Sequence, residues 1–278
     1  MGSGHPANGG WRSSNDRENE VPGVLIVTGG SRGIGAAIAT CAGARRWKVC
    51  VNYRTGEVRA SAVVEAIRAG GGTAIAVEGD VSVEADVERL FAEVDARLGT
   101  VSALVNNAGI DQQVAVADVK REHLEGVFAV NTFGPYYCAR EAVRRMSTAR
   151  GGKGGVIVNI SSIAAVYGGM PGDAVYAGSK GALDALTLAL AREVAQEGIR
   201  VCGVRPGMTA TEMWDDVELP LDEALRRARS LVPLGRIATP AEIANAVLWL
   251  CSDEASYVTG TFINVSGGRE LHVPSSRD

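Results

Sequence analysis

Histidine is nearly missing from this chain. His5, His123 and His272 are the only three in 278 residues, so any proton transfer must be managed without a histidine cluster. Cysteine is scarce and unpaired in pattern: Cys41, Cys50, Cys138, Cys202 and Cys251 are odd in number, widely spaced and free of any CxxC pair. They read as buried thiols, and neither a disulfide framework nor a metal site is expected. A basic excess is also lacking: 28 Lys and Arg stand against 32 Asp and Glu, for a net charge of −4. Such a chain has no field to attract a phosphate backbone or an anionic bilayer, so neither nucleic acid nor membrane is expected as a partner. No stretch approaches the roughly 20 uninterrupted apolar residues of a spanning helix, and the first residues are polar where a secretory signal would be apolar. The expected location is cytoplasmic. Glycine, by contrast, is abundant, with 35 residues against an average usage of roughly 7% and no collagen-like period, which points to many tight turns.

Hydrophobic residues at 46% and charged residues at 22% describe an ordinary folded chain. Residues 1–22 lack apolar periodicity and are expected to form a disordered arm, with a single domain over 23–278. From there, apolar runs at 24–27, 48–53, 73–78, 102–106, 155–161, 200–205 and 262–265 predict strands. Between them, helical patterns follow 34–41, then 57–69, 84–98, 122–146 and 174–196. Ser82 is the expected N-cap of the third helix, and Thr239, Pro240 and Glu242 form a capping box opening a helix to about residue 251. Strands that are apolar almost throughout and alternate with helices imply a parallel sheet of about seven strands covered on both faces, a doubly wound α/β fold. Residues 207–234 break the rhythm at the carboxyl end of a strand, where a substrate lid is expected.

The first strand-turn-helix unit carries Thr28, Gly29, Gly30, Ser31, Arg32, Gly33, Ile34 and Gly35. Gly29 allows the turn, Gly33 lets a pyrophosphate approach the backbone, and Gly35 permits close packing of helix on strand. Further on, Tyr176 and Lys180 sit four apart and share one helix face. An unperturbed phenol titrates near 10, and a neighbouring ammonium is expected to stabilise the phenolate and move it towards neutral pH. After the second strand, where an NAD-binding chain places a carboxylate, this chain has Asn52, Tyr53 and Arg54. With Arg32 in the glycine turn, two guanidinium groups suit the 2'-phosphate of NADP, while Glu57 as a displaced carboxylate would suit NAD.

The TGxxxGIG spacing of the turn resembles the short-chain dehydrogenase/reductase family. Four further motifs follow in the same order: Asn106, Asn107, Ala108 and Gly109 as NNAG; Asn131 on the long helix; Ser162 with Tyr176 and Lys180; and Pro206, Gly207 and Thr211. The resemblance runs from about Val24 to Gly268. It implies a Rossmann fold and an NADP-dependent or NAD-dependent oxidoreductase that moves a hydride between nicotinamide and a carbonyl or secondary alcohol. Tyr176 would transfer the proton, Lys180 would also hold the nicotinamide ribose, Ser162 would hold the reacting oxygen, and Asn131 would keep a water chain to Lys180. Ser161 is the alternative to Ser162. Cofactor contacts are expected from Gly29, Ser31, Arg32, Gly33, Ile34, Gly35, Asn52, Tyr53, Arg54, Asp80, Val81, Asn107, Ala108, Gly109, Tyr176, Lys180, Pro206, Gly207, Thr209 and Thr211.

The substrate would be a small or carrier-bound alcohol/ketone pair, such as a 3-oxoacyl thioester or a sugar. Its pocket is expected between residues 110–113, the loop before Tyr176 and the segment 208–234, with Met213 and Trp214 as apolar walls. The resemblance also implies a homotetramer or homodimer. A non-catalytic, dinucleotide-sensing protein is the competing class, and the presence of all four residues Asn131, Ser162, Tyr176 and Lys180 weighs against it.

Overall fold

In a computed structural model of the chain, residues 22–211, 226 and 230–271 are described. The expected arm and most of the expected lid, Met213 and Trp214 included, lie outside them. The strands are β1 (Val24–Val27), β2 (Lys48–Tyr53), β3 (Thr73–Glu78), β4 (Val101–Asn106), β5 (Gly155–Ile160), β6 (Ile199–Pro206) and β7 (Phe262–Val265). They form one sheet in the order β3-β2-β1-β4-β5-β6-β7, parallel throughout. The order reverses between β1 and β4, and in such sheets the ligand crevice opens at the carboxyl ends on either side of that reversal.

Alternation along the strands builds two cores. Leu25 and Val27 of β1 face one side, with α1 (Gly33–Ala44), α2 (Glu57–Ala69) and α8 (Pro240–Cys251) packed there through Ile38, Val64, Ile67, Ile243 and Val247. Val24 and Ile26 face the other, against α3 (Glu84–Arg97), α5 (Gly134–Met146) and α7 (Ala174–Val194) through Leu90, Phe91, Cys138, Met146 and Val194. Both faces are therefore dry, which is why the strands read as unbroken apolar runs.

The element boundaries agree with the periodicity to within three residues, with two corrections. Ser82 does not cap α3: its amide and hydroxyl both donate to Asp80 Oδ1, at 2.9 and 2.6 Å, and Val83 occupies the N-cap. The single helix expected over 122–146 is broken. It runs as α4 (Arg121–Phe128), then five π-helical residues, Ala129–Phe133, then α5; a short α6 (Ala164–Tyr167) follows β5. Asn131 lies in that π segment and is fully buried. The Thr239 capping box and the proline opening α8 are present as the sequence implies.

A buried polar chain anchors α7 to the sheet. Asn106 Nδ2 donates to Asn159 Oδ1 at 2.9 Å, and Asn159 Nδ2 donates to Thr187 Oγ1 at 2.9 Å. Asn159→Ala strands one donor on β4 and one acceptor on α7, so a loss of about 1–3 kcal/mol is expected in urea unfolding. A loss no larger than that of an exposed alanine substitution would show the chain to be dispensable.

Candidate active site

A cleft of about 730 Å³ opens at the carboxyl ends of the strands, above the β1/β4 reversal. All of the expected cofactor residues line it, as do Ser162, Tyr176 and Lys180; Asn131 stands behind its wall.

The floor is a pair of interlocked turns. Thr28 Oγ1 donates to Val105 O and accepts from the amides of Asn107 and Ala108, both at 3.0 Å. Asn107 returns the contact, its Nδ2 donating to Thr28 O at 2.9 Å and Gly29 O at 3.1 Å. Asn52 is buried beneath, accepting from Gly29 N at 3.4 Å and donating to Gly79 O at 3.0 Å. Asn52 and Asn107 thus shape the cradle with side chains already committed to the backbone. Gly29 and Gly33 have φ of +61° and +54°, in the left-handed region that favours glycine. Gly35 plays a different part from the expected helix-on-strand packing: a β-carbon there would lie 2.3 Å from Gly29 O and 2.5 Å from Asn107 Nδ2, so it brings α1 against the turn itself. No side chain caps the first turn of α1 and no acid lies in it, which leaves its N–H groups and positive dipole end for an anion.

At the end of the cleft beside α2, Arg32, Arg54 and Arg59 all line it, whereas Glu57 does not. Arg54 Nη1 lies 3.6 Å from Asp80 Oδ2, and Asp80 also caps the turn before α3. Arg59 went unnoticed in the sequence because it sits inside a helical pattern. The signal was Gly56, whose φ of +85° at the N-cap of α2 makes room for the Arg59 guanidinium to fold back beside it.

At the other end, Tyr176 and Lys180 share the first half of α7, with Lys180 Nζ 5.7 Å from the centre of the tyrosine ring. Lys180 is buried and its ammonium donates to Ile160 O at 2.9 Å. The Ser162 hydroxyl lies close enough to the phenol of Tyr176 to favour its ionised form, and accepts from Ala164 N at 3.1 Å. Ser161 turns the other way, donating to Lys180 O at 3.4 Å. Asn131 is spent on the protein: its Oδ1 accepts from Ile110 N at 2.8 Å, and its Nδ2 donates to Ile110 O at 2.8 Å and Ser179 Oγ at 3.0 Å. Gly109 passes so near that a β-carbon would stand 3.3 Å from Lys180 Nζ. Pro206, Gly207, Thr209 and Thr211 complete this wall, and Thr209 Oγ1 donates to Gly207 O at 3.1 Å.

The expectation that the ammonium moves the phenol towards neutral pH is not met by the protein alone. Desolvation in the cleft wall pushes Tyr176 up to about 12, against the lowering effect of Ser162. Burial likewise brings Lys180 down to about 8, against the fields of Asp184 and Asp111. Desolvation disfavours both charged forms, and the fields of Asp111 and Asp173 add to the rise of the phenol.

Beyond Tyr176 the cleft is walled by Asp111, Gln113, Tyr167, Met170, Asp173, Met208 and Arg269. Asp173 and Arg269 carried no signal in the sequence, since loops far apart in the chain bring them here. No cluster of His, Cys, Asp or Glu among the described residues could hold a metal ion, and no described helix is long and apolar enough to cross a membrane.

A doubly wound sheet with an anion-ready glycine turn, followed across its crevice by a tyrosine and lysine on one helix, defines a dinucleotide-binding oxidoreductase. A family model described as enoyl-(acyl carrier protein) reductase matches residues 29–270. An Escherichia coli protein, uncharacterized oxidoreductase YgfF, is 44% identical over 248 residues, covering 88% of this chain and 99% of its own. Versicolorin reductase 1 of Aspergillus parasiticus is 39% identical over 88% of this chain and 95% of its own. The 3-oxoacyl-[acyl-carrier-protein] reductase of Staphylococcus aureus is 36% identical over 87% of this chain and 96% of its own. A solved dehydrogenase/reductase from Sinorhizobium meliloti superposes with a TM-score of 0.81 at 34% identity, covering 89% of this chain and 94% of that one. The chain belongs to the short-chain dehydrogenase/reductase family and is a short-chain oxidoreductase.

The buried lysine has a thermodynamic signature. Its pKa falls on folding, so the unfolded chain holds the proton more tightly and the penalty is full below about 8, then fades as pH climbs to 10.5. The stability of Lys180→Met relative to wild type should therefore be most favourable at neutral pH and decline steadily over that window. A difference in Tm that does not change with pH would contradict it.

Proposed function

We propose that this chain is an NADP-dependent oxidoreductase interconverting a carbonyl and a secondary alcohol, with Tyr176 as the general acid and base. The convergence of Ser162, Tyr176 and Lys180 on the cleft floored by the glycine turn carries the reading. The cradle fits a dinucleotide: the uncapped end of α1 suits a pyrophosphate, and Gly29, where a β-carbon would lie 2.9 Å from Ala108 Cα, seats the glycine turn against the turn after β4. Bound nicotinamide supplies or accepts the hydride at the substrate carbon.

The protein's own part is proton transfer and orientation. Ser162 and Tyr176 hold the substrate oxygen between two hydroxyls. With its pKa raised, Tyr176 carries its proton at neutral pH, the state required to protonate a carbonyl oxygen during reduction. Lys180, charged below about 8, stabilises the phenolate left behind. In oxidation the same groups run in reverse. Asn131 acts here as a positioning residue, tying the loop after β4 to α7 through Ile110 and Ser179.

Three guanidinium groups and the absence of Glu57 from the cleft favour NADP over NAD. Exposed Leu124, Phe133 and Tyr136 along α4 and α5, with Leu188 on α7, support assembly as a homodimer or homotetramer. Five unpaired, mostly buried cysteines suit a reducing cytoplasm.

Turnover with NADPH and a panel of ketones tests the core of the reading. Tyr176→Phe is expected to lose about 10²- to 10⁴-fold in kcat with NADPH affinity retained; wild-type rates in that variant would remove the proposed acid. Replacing Arg54 and Arg59 by alanine together should raise the KM for NADPH roughly ten- to a hundredfold and leave that for NADH almost untouched. Equal effects on both cofactors would place the arginines elsewhere than on a 2'-phosphate.

A further inference from the structure

The carboxylates at the reacting end of the cleft are not equivalent. Asp173 is consumed within the protein: Oδ1 accepts from Gln113 Nε2 at 3.1 Å and Oδ2 accepts from Met170 N at 2.7 Å. With Val114 N donating to Gly172 O at 3.0 Å, it fastens the loop after β4 to the loop before α7. Asp111 lies on the first of these loops, open to the cleft. Among the described residues its carboxylate has no cation within ion-pair distance, and its only hydrogen bond is from the backbone of Gln112. It is near enough for its field to act on both Tyr176 and Lys180. Lys180 attracts it through space without forming an ion pair, since that ammonium donates to Ile160 O. Crowding by the cleft walls, and then Asp173, hold the Asp111 carboxyl above the usual carboxylate range.

A free acceptor of this kind, lining the reacting end of the cleft, is costly to leave facing an apolar or acceptor-only group and favourable opposite a donor. From this placement we propose that Asp111 selects carbonyl substrates bearing a hydrogen-bond donor, a hydroxyl or an ammonium, on the carbon next to the carbonyl. In the oxidative direction the corresponding substrates are vicinal diols and amino alcohols. The inference rests on the preceding reading, which puts the substrate oxygen between Ser162 and Tyr176. A 3-oxoacyl thioester has only a methylene and a second carbonyl at that place, and would present an acceptor to a carboxylate.

Hydroxyacetone and butanone are nearly isosteric and differ at the neighbouring carbon; aminoacetone adds the charged donor. kcat/KM for all three is measured with NADPH in wild type, Asp111→Leu and Asp111→Asn, after thermal melting and NADPH titration show each variant folded and cofactor-competent. The preference for hydroxyacetone over butanone should fall by roughly ten- to a hundredfold from wild type to Asp111→Leu, because intrinsic ketone reactivity cancels between proteins. Asp111→Asn should keep most of the hydroxyacetone preference and lose the advantage of aminoacetone, since only the charge is removed. An unchanged preference in Asp111→Leu, with butanone still turned over, overturns the inference and leaves the oxidoreductase reading standing. Failure of the wild type on all ketones, these three and the wider panel, defeats both.

Discussion

The bond between Thr28 and the turn after β4 is the constraint on which the cleft depends. One hydroxyl accepts two backbone amides from Asn107 and Ala108, while Asn107 grips the carbonyls of Thr28 and Gly29. Parallel strands diverge at a topological reversal, and nothing in sheet geometry alone fixes how far their loops separate. Here the first two turns on either side of the crevice are stitched into one rigid piece. The glycines then do local work: Gly29 and Gly33 reach backbone conformations other residues resist, and Gly35 lets α1 rest on the stitched turn.

The reacting end is held in a comparable way from behind. Asn131 bridges the loop after β4 to α7, and Asn159 bridges β5 to the same helix about two turns on. Both are buried amides with partners on two separate elements, a costly arrangement unless every group is satisfied. Their effect is to place Tyr176 and Lys180 against Gly109 and Ile160 with little freedom. Rigidity there matters because the lysine is held in a desolvated position that the backbone must impose.

Most of the fold was legible because hydrophobic period and glycine punctuation agree along the chain. Strands buried on both faces announce themselves as Val24–Val27 or Lys48–Tyr53 do, and the Thr239 capping box marks its helix directly. Ser82 misled because a serine before a helix has two uses, and a neighbouring Asp80 captured it for a turn. Of the site, the glycine turn and the Tyr176–Lys180 pair could be read locally. Asp173 and Arg269 could not, since their relevance arises only where three distant loops meet. The phenol's acidity was misjudged for the same reason: spacing reveals a neighbouring ammonium, but burial is a property of the assembled cleft.

The π segment Ala129–Phe133 has a consequence for how this helix tolerates change in length. Its wider turn holds one residue more than regular α-helical winding requires, so α4 is rotated by about 100° from the direction α5 would continue. Substitutions within it leave that offset intact. Loss of a single codon does not: the two helices would merge into one straight rod, Asn131 would swing from under Ile110, and the apolar stripe of Leu124 would be carried round to another side of the molecule. In this stretch a reading-frame-neutral deletion is a severe lesion even where no partnered side chain is lost, so the number of residues is constrained as well as the identity of Asn131.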